Sequence, residues 1–230
     1  MTPEYGLCWS GGKDSTLALD RALRNGLRVR HLFNLFDAET GRVAFHGVRA
    51  ELIRRQAEHL GLGILQLATP PGEFEFTFVQ GLERLRMLGV TGIIFGNIHL
   101  TDVRSWFEER TRRIGFEHVE PLWGEDPRTL VAEVLDRGYR TTLVSVHLER
   151  GRREWLGREL TPALAAEIAT TPGVDPAGEC GEYHSYVFDG PLFAEPVPVR
   201  TGEIVEFKGH ALVDLSEQTP SVYAGDHSTS

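Results

Sequence analysis

Short apolar runs alternating with amphipathic stretches that stop at glycine constrain the fold of this chain more than any other feature. The runs read as strands at Tyr5–Trp9, Arg28–Phe36, Ile64–Leu67, Gly92–Gly96, His118–Leu122 and Arg140–His147. Between them lie helical patterns at Asp14–Asn25, Val48–Leu60, Phe74–Leu88, Val103–Ile114 and Pro127–Arg137, the last with proline in its first turn. Gly26, Gly61 and Gly89 follow helical patterns directly, where a left-handed residue closes the last turn. Strands apolar on both faces and separated by helices call for a parallel sheet covered on each side. The expected fold class is α/β.

After Leu148 the rhythm fails. Glu149–Leu160 is charged, Thr161–Ala169 reads as a short helix, and beyond Pro172 glycine, proline and β-formers dominate, as in Val197–Val199, Ile204–Phe207 and Ala211–Leu215. The expected organisation is a main domain over residues 1–148 and a smaller α+β domain over 149–216. The polar tail 217–230 is expected to be disordered.

The chain has 230 residues, 41% hydrophobic and 25% charged, which is ordinary soluble composition and enough for a sizeable core. No apolar run is long enough to cross a bilayer, and Tyr5–Trp9 opens a strand where a targeting segment would stand, so neither membrane nor export is expected. Two cysteines, Cys8 and Cys180, make no disulfide framework and no CxxC pair, which points to the reducing cytoplasm. A formal charge of −9 argues against a nucleic-acid partner, since binding that backbone relies on clustered Lys and Arg. A homo-oligomer is neither required nor excluded.

Between the first strand and the first helix stands Ser10-Gly11-Gly12-Lys13-Asp14-Ser15. It is not GxxxxGK[ST], because Asp14 follows Lys13, and it is not GxGxxG. Glycines let the backbone approach an anion, the N–H groups of a helix start point at it, Ser10 and Ser15 offer hydroxyls, and Lys13 adds a charge. Such a cradle suits a pyrophosphate.

These six residues resemble the PP-loop of the N-type ATP pyrophosphatases, which cut ATP between its α and β phosphates. Further on, Gly173-Val174-Asp175-Pro176-Ala177-Gly178-Glu179-Cys180-Gly181-Glu182-Tyr183-His184-Ser185, together with Gly92–Ile98, Pro121-Leu122-Trp123 and Leu156-Gly157-Arg158, is similar to the diphthine–ammonia ligase family. The resemblance covers Leu7 to about Asp189. It implies an adenine-nucleotide alpha hydrolase-like, Rossmann-like sheet and an ATP-dependent amidation. A carboxylate, that of a modified histidine on a translation elongation factor, is adenylated and then attacked by ammonia, with Mg²⁺ helping to neutralise charge.

The resemblance also implies the site. Nucleotide contacts fall to Ser10, Gly11, Gly12, Lys13, Asp14 and Ser15, with Asn34 and Phe36 on the second strand and Gly96 and Asn97 at the end of the fourth. Asp14 and Asp102 are the candidate Mg²⁺ carboxylates. Lys13, Glu179, Glu182 and His184 are the candidate catalytic residues. Glu179 and Glu182 would face ammonium or a cationic substrate nitrogen, and His184 would shuttle its proton. Two positions depart from the family's pattern. Asn97 stands where aspartate is usual, a weaker ligand for a hard cation. Cys180 replaces an asparagine, and its acidic neighbours argue against a thiolate nucleophile. Two other readings stay open, an RNA-thiolating enzyme, although paired cysteines and a basic domain are missing, and a non-catalytic adenine-nucleotide sensor.

Overall fold

The computed structural model describes residues 2–44, 46–207 and 209–218. Its first half is a five-stranded sheet built from β1 (Tyr5–Cys8), β2 (Val29–Asp37), β3 (Gly63–Thr69), β4 (Gly92–Ile94) and β5 (Glu117–Val119). The order is β3-β2-β1-β4-β5, and every pairing is parallel. Four helices connect these strands: α1 (Lys13–Arg24), α2 (Ala50–Leu60), α3 (Phe74–Met87) and α4 (Thr101–Ile114). The order reverses at β1, and a doubly wound sheet opens its ligand crevice at such a switch point, beyond the carboxyl ends of the strands. The loop after β1 is the glycine-rich one.

The second half differs from the sequence reading in one respect that matters for function. After α5 (Pro127–Asp136), strand β6 (Arg140–His147) does not extend the parallel sheet. It lies in a second, antiparallel sheet of order β7-β6-β9-β8, with β7 (Tyr183–Asp189), β8 (Val199–Phe207) and β9 (His210–Glu217). The change of sheet therefore falls between β5 and β6, ahead of the change of rhythm at Leu148. Strand β7 had no counterpart in the sequence reading, and α6 (Pro162–Ala169) is the short helix expected there. Of the polar tail, residues 219–230 lie outside the described residues.

One hydrophobic core serves both sheets. Leu7, Leu17, Leu52 and Ile94 of the parallel half are buried in the same cluster as Leu143, Trp155, Tyr186 and Val213 of the antiparallel half. A second cluster, with Phe33, Phe78, Leu82 and Phe95, lies on the other face of the parallel sheet. Polar ties fix α1 in place. Arg137 clasps the buried carboxylate of Asp20 at 2.8 and 3.0 Å, and the Arg21 guanidinium reaches the Pro121 carbonyl oxygen at 3.0 Å and the Glu133 carboxylate.

Strand β7 docks on the glycine-rich loop. The Val187 amide donates to the Gly11 carbonyl at 2.9 Å, and the Lys13 amide donates to Ser185 Oγ at 3.2 Å. Gln56 of α2, fully buried, closes the joint. Its amide nitrogen donates to the carbonyls of Gly11 and Val187, and its oxygen accepts from the Trp9 indole at 2.8 Å. The loop is thus held by both halves of the chain.

Candidate active site

The carboxyl end of β1 opens into a cavity of about 320 Å3, within the range of small-molecule clefts. One end is polar, with Ser10, Lys13, Asp14, Ser15, His46, Glu179, His184 and Ser185. The other is aromatic, with Phe33, Phe74, Phe78, Phe95 and Phe107. That division suits a molecule with a flat base at one end and anionic groups at the other.

At the polar end the backbone does most of the shaping. Gly11 has φ 81°, a conformation that side chains other than glycine's rarely adopt, and a Cβ there would lie 2.5 Å from Ile53 Cδ1. Gly12 precedes α1 with no side-chain cap, and with the Lys13 amide taken by Ser185 the next N–H groups of the first turn, those of Asp14 and Ser15, are left for a ligand. A Cβ on Gly12 would come within 3.0 Å of the Ser185 carbonyl oxygen and 3.1 Å of His46 Cε1. Gly96 lies so close to α1 that a Cβ there would be 3.0 Å from the Asp14 carbonyl and the Ser15 nitrogen. Ser10 Oγ is 3.3 Å from Ser15 Oγ and accepts from the Gly12 amide at 3.3 Å.

Lys13 is only 2% exposed. Its ammonium donates to Asp14 Oδ2 at 2.8 Å and to the Ala177 carbonyl oxygen, and sits 4.9 Å from the Tyr183 ring centroid. Burial works against the charge, but Asp14 foremost, with Glu179 behind it, outweighs burial and pushes the pKa above its ordinary value. The lysine therefore stays charged at any physiological pH. Through Ala177 it is tied to the same loop that carries Glu179.

That loop, residues 173–182, is docked on the end of β4. The Ile98 amide donates to Glu179 Oε1 at 3.0 Å, and His99 Nε2 lies 2.7 Å from Asp175 Oδ2. Burial, then the nearby Asp14 charge, pushes the Glu179 carboxyl up to about 7, while Ile98, Lys13 and His99 pull the other way. Glu182 goes elsewhere. It is 2% exposed, accepts from the Asp175 amide at 3.0 Å, and does not line the cavity. The two acids expected to face substrate together are thus separated, Glu179 in the cavity and Glu182 beneath the loop that presents it.

His184 lines the cavity, its ring centroid 4.5 Å from that of His46. Burial, followed by the neighbouring His46 and Lys13, holds His184 well below the ordinary histidine range. Burial likewise holds His46 down to about 4, with the Ser185 backbone opposing and Lys13 adding to the shift. Both rings are neutral near pH 7. A shuttle must gain and lose a proton near the working pH, so His184 suits a hydrogen-bonding role better than the proton transfer first expected of it. His46, which follows β2 in the chain, stands over Gly12.

Of the remaining expected residues, Asn34 lines the cavity and is held from behind, donating to the Trp9 carbonyl at 2.8 Å and accepting from Gln66 at 3.0 Å. Asn97 lines it as well. Phe36 does not; its backbone bridges to Val43 in the segment after β2. Asp102 is exposed in the first turn of α4, outside the lining residues. Among the described residues no group of three His, Cys, Asp or Glu side chains is arranged to hold a metal ion. Mg²⁺ bound with a nucleotide takes most of its ligands from phosphate and water, and one carboxylate suffices. Asp14, with its side chain 27% exposed at the cavity, fits that part. Cys180 is exposed, and burial with the surrounding carboxylates pushes its thiol up. It is not placed to act as a nucleophile.

The described part of the chain contains no helix long and apolar enough to cross a membrane. A solved structure from Methanocaldococcus jannaschii, described as a predicted subunit of tRNA methyltransferase, aligns with a TM-score of 0.42 and 15% identity over 82% of this chain and all of that one. A likeness of that size decides nothing about activity. Curated relatives named diphthine–ammonia ligase are closer. The Schizosaccharomyces pombe protein is 26% identical over 86% of this chain, which spans only 36% of that longer protein. The rat protein is 25% identical over 96% of each chain, and the human one 26% identical over 90% of this chain and 86% of its own. The family descriptions "diphthamide synthase N-terminal domain" and "diphthamide synthase C-terminal domain" match residues 5–118 and 126–219, so that nearly the whole described fold, cavity included, is accounted for by both: the chain belongs to the diphthamide synthase family.

Proposed function

We propose that the chain is an ATP-dependent ligase. A substrate carboxylate attacks the α-phosphorus of ATP, pyrophosphate leaves, and ammonia displaces AMP from the adenylate to give an amide. By analogy with the named activity of the relatives, the acceptor is the carboxylate of diphthine on an elongation factor. One observation carries the reading: a cradle shaped for pyrophosphate shares a single cavity with Glu179, whose carboxyl is pushed up to about 7. A group with that pKa can take a proton at neutral pH, and ammonia must shed one as it becomes an amide.

The other residues have parts that follow from their positions. The aromatic end, Phe33, Phe78, Phe95 and Phe107, offers an apolar seat for adenine. The uncapped start of α1 and the permanently charged Lys13 stabilise the charge that develops as pyrophosphate departs. His46 and His184, held neutral, add hydrogen-bonding groups without a further charge. Asp14 would hold Mg²⁺, which when bound would neutralise phosphate oxygens.

The test uses ATP labelled at the α-phosphate, a diphthine-bearing elongation factor and ammonium. The expected product is labelled AMP that requires both acceptor and ammonium. Labelled ADP, or nucleotide binding with no AMP, would sink the reading.

A further inference from the structure

Asn97 lines the cavity between two functional elements: Gly96 before it packs against the start of α1, and the Ile98 amide after it holds Glu179. Its side-chain amide is not free to turn. Nδ2 donates to Glu120 Oε1 at 2.8 Å, and Glu120, with its side chain 2% exposed, does not line the cavity. A carboxylate only accepts, so the pairing forces the nitrogen of Asn97 toward Glu120. Two more side chains close on Glu120. Arg104 Nε lies 3.0 Å from Oε2 and rests on the Trp123 ring at 4.4 Å, and His118 Nε2 lies 3.0 Å from Oε1 while its ring stacks on Phe95 at 4.8 Å.

We propose that Glu120 is a positioning residue that turns the carbonyl oxygen of Asn97 into the cavity, where it accepts a hydrogen bond from the ammonia nucleophile beside Glu179. The inference rests on the ligase reading. It explains why a neutral amide serves at this position. With Glu120 behind it, aspartate would set two carboxylates against each other, whereas asparagine satisfies Glu120 and still offers an oxygen to an N–H donor. Ammonia, which carries only hydrogens around a single lone pair, fits a corner of acceptors.

Four proteins test it: the parent, Glu120→Gln, Asn97→Asp and the double variant. A glutamine in place of Glu120 can donate, so in Glu120→Gln the Asn97 amide can invert and show its NH2 to the cavity. In the double variant the introduced glutamine donates to the introduced aspartate, and an oxygen again faces inward. Losing one such hydrogen bond is worth roughly 1.4 kcal/mol, so the KM for ammonium should rise about tenfold in Glu120→Gln and return to within about threefold of the parent in the double variant, where aspartate has only oxygens to show. Affinity for a non-hydrolysable ATP analogue, measured by calorimetry, should stay within about twofold in Glu120→Gln, whose altered side chain does not line the cavity.

An unchanged ammonium KM in folded Glu120→Gln, a double variant no better than Glu120→Gln, or a loss confined to ATP affinity would each overturn the proposal. Titrating ammonium into the analogue-saturated proteins reads the same order without turnover. A parent that binds ammonium in this order but forms no AMP would leave the positioning role standing and remove the ligase reading instead.

Discussion

Replacing Lys13 with alanine lowers the rate of acceptor-dependent AMP formation by about two to three decades, the loss that follows when a charge contact worth roughly 3–4 kcal/mol in the transition state is removed. The structure adds a second consequence. Lys13 is 2% exposed and its ammonium holds both the Asp14 carboxylate and the Ala177 carbonyl, so the alanine variant leaves these without their donor. An unsatisfied buried acceptor costs about 1–3 kcal/mol, and urea unfolding should show a loss in that range. A side chain facing only solvent and ligand would have been removable without harm to stability. This one is also the bolt between the first helix and the loop that carries Glu179. Stopped-flow measurement of AMP, set beside the denaturation curve, separates the two effects: turnover that falls no further than the unfolded fraction would take Lys13 out of the chemistry.

What the sequence made legible, and what it hid, follows from how local each signal is. Strands β1 to β5 and the helices between them carry their pattern within a few residues, and their reading fails only at the edges. Strand β4 ends at Ile94, not at Gly96, because Gly96 is used for close approach to α1. Strand β6 has the same apolar composition as its predecessors. Only its partners, β7 and β9, reveal that it belongs to an antiparallel sheet, and they lie far along the chain. Strand β7 hid for a related reason. Tyr183, Ser185, Tyr186 and Val187 are all buried, so the alternation of a half-exposed strand is absent.

The site shows the same contrast. The Ser10–Ser15 cradle is a local object and could be read in sequence. The fates of Glu179 and Glu182 were not readable, since both are acids in one glycine-rich loop. Between them Gly181 turns the backbone at φ 84°, and only the folded loop sends one carboxylate into the cavity and the other under Asp175. His46 and Ser185 reach the loop from residues far away in the chain, through contacts with Gly12 and Lys13 that no motif encodes.

That separation of the two acids gives the other large expected effect. Glu179→Gln should abolish ammonium-dependent AMP formation while leaving affinity for an ATP analogue near the parent's, because glutamine keeps the acceptor for the Ile98 amide but cannot take a proton. The parent's rate should climb as pH rises through about 7, where the carboxyl ionises, and any residual rate in the variant should lack that limb. Stability supplies an independent reading with a definite sign. Folding raises the Glu179 pKa from 4.5 to about 7, so the folded state holds the proton more tightly than the unfolded chain. The parent therefore loses stability as pH rises across that window, and the glutamine variant, with nothing to ionise there, does not. Melting temperatures of the two proteins should diverge in the variant's favour between about pH 4.5 and 7 and run parallel above it. A constant gap across the window would mean that Glu179 titrates like an ordinary surface acid, and a base of that kind would already be ionised well below neutrality, leaving the neutral-pH limb of the rate to some other group.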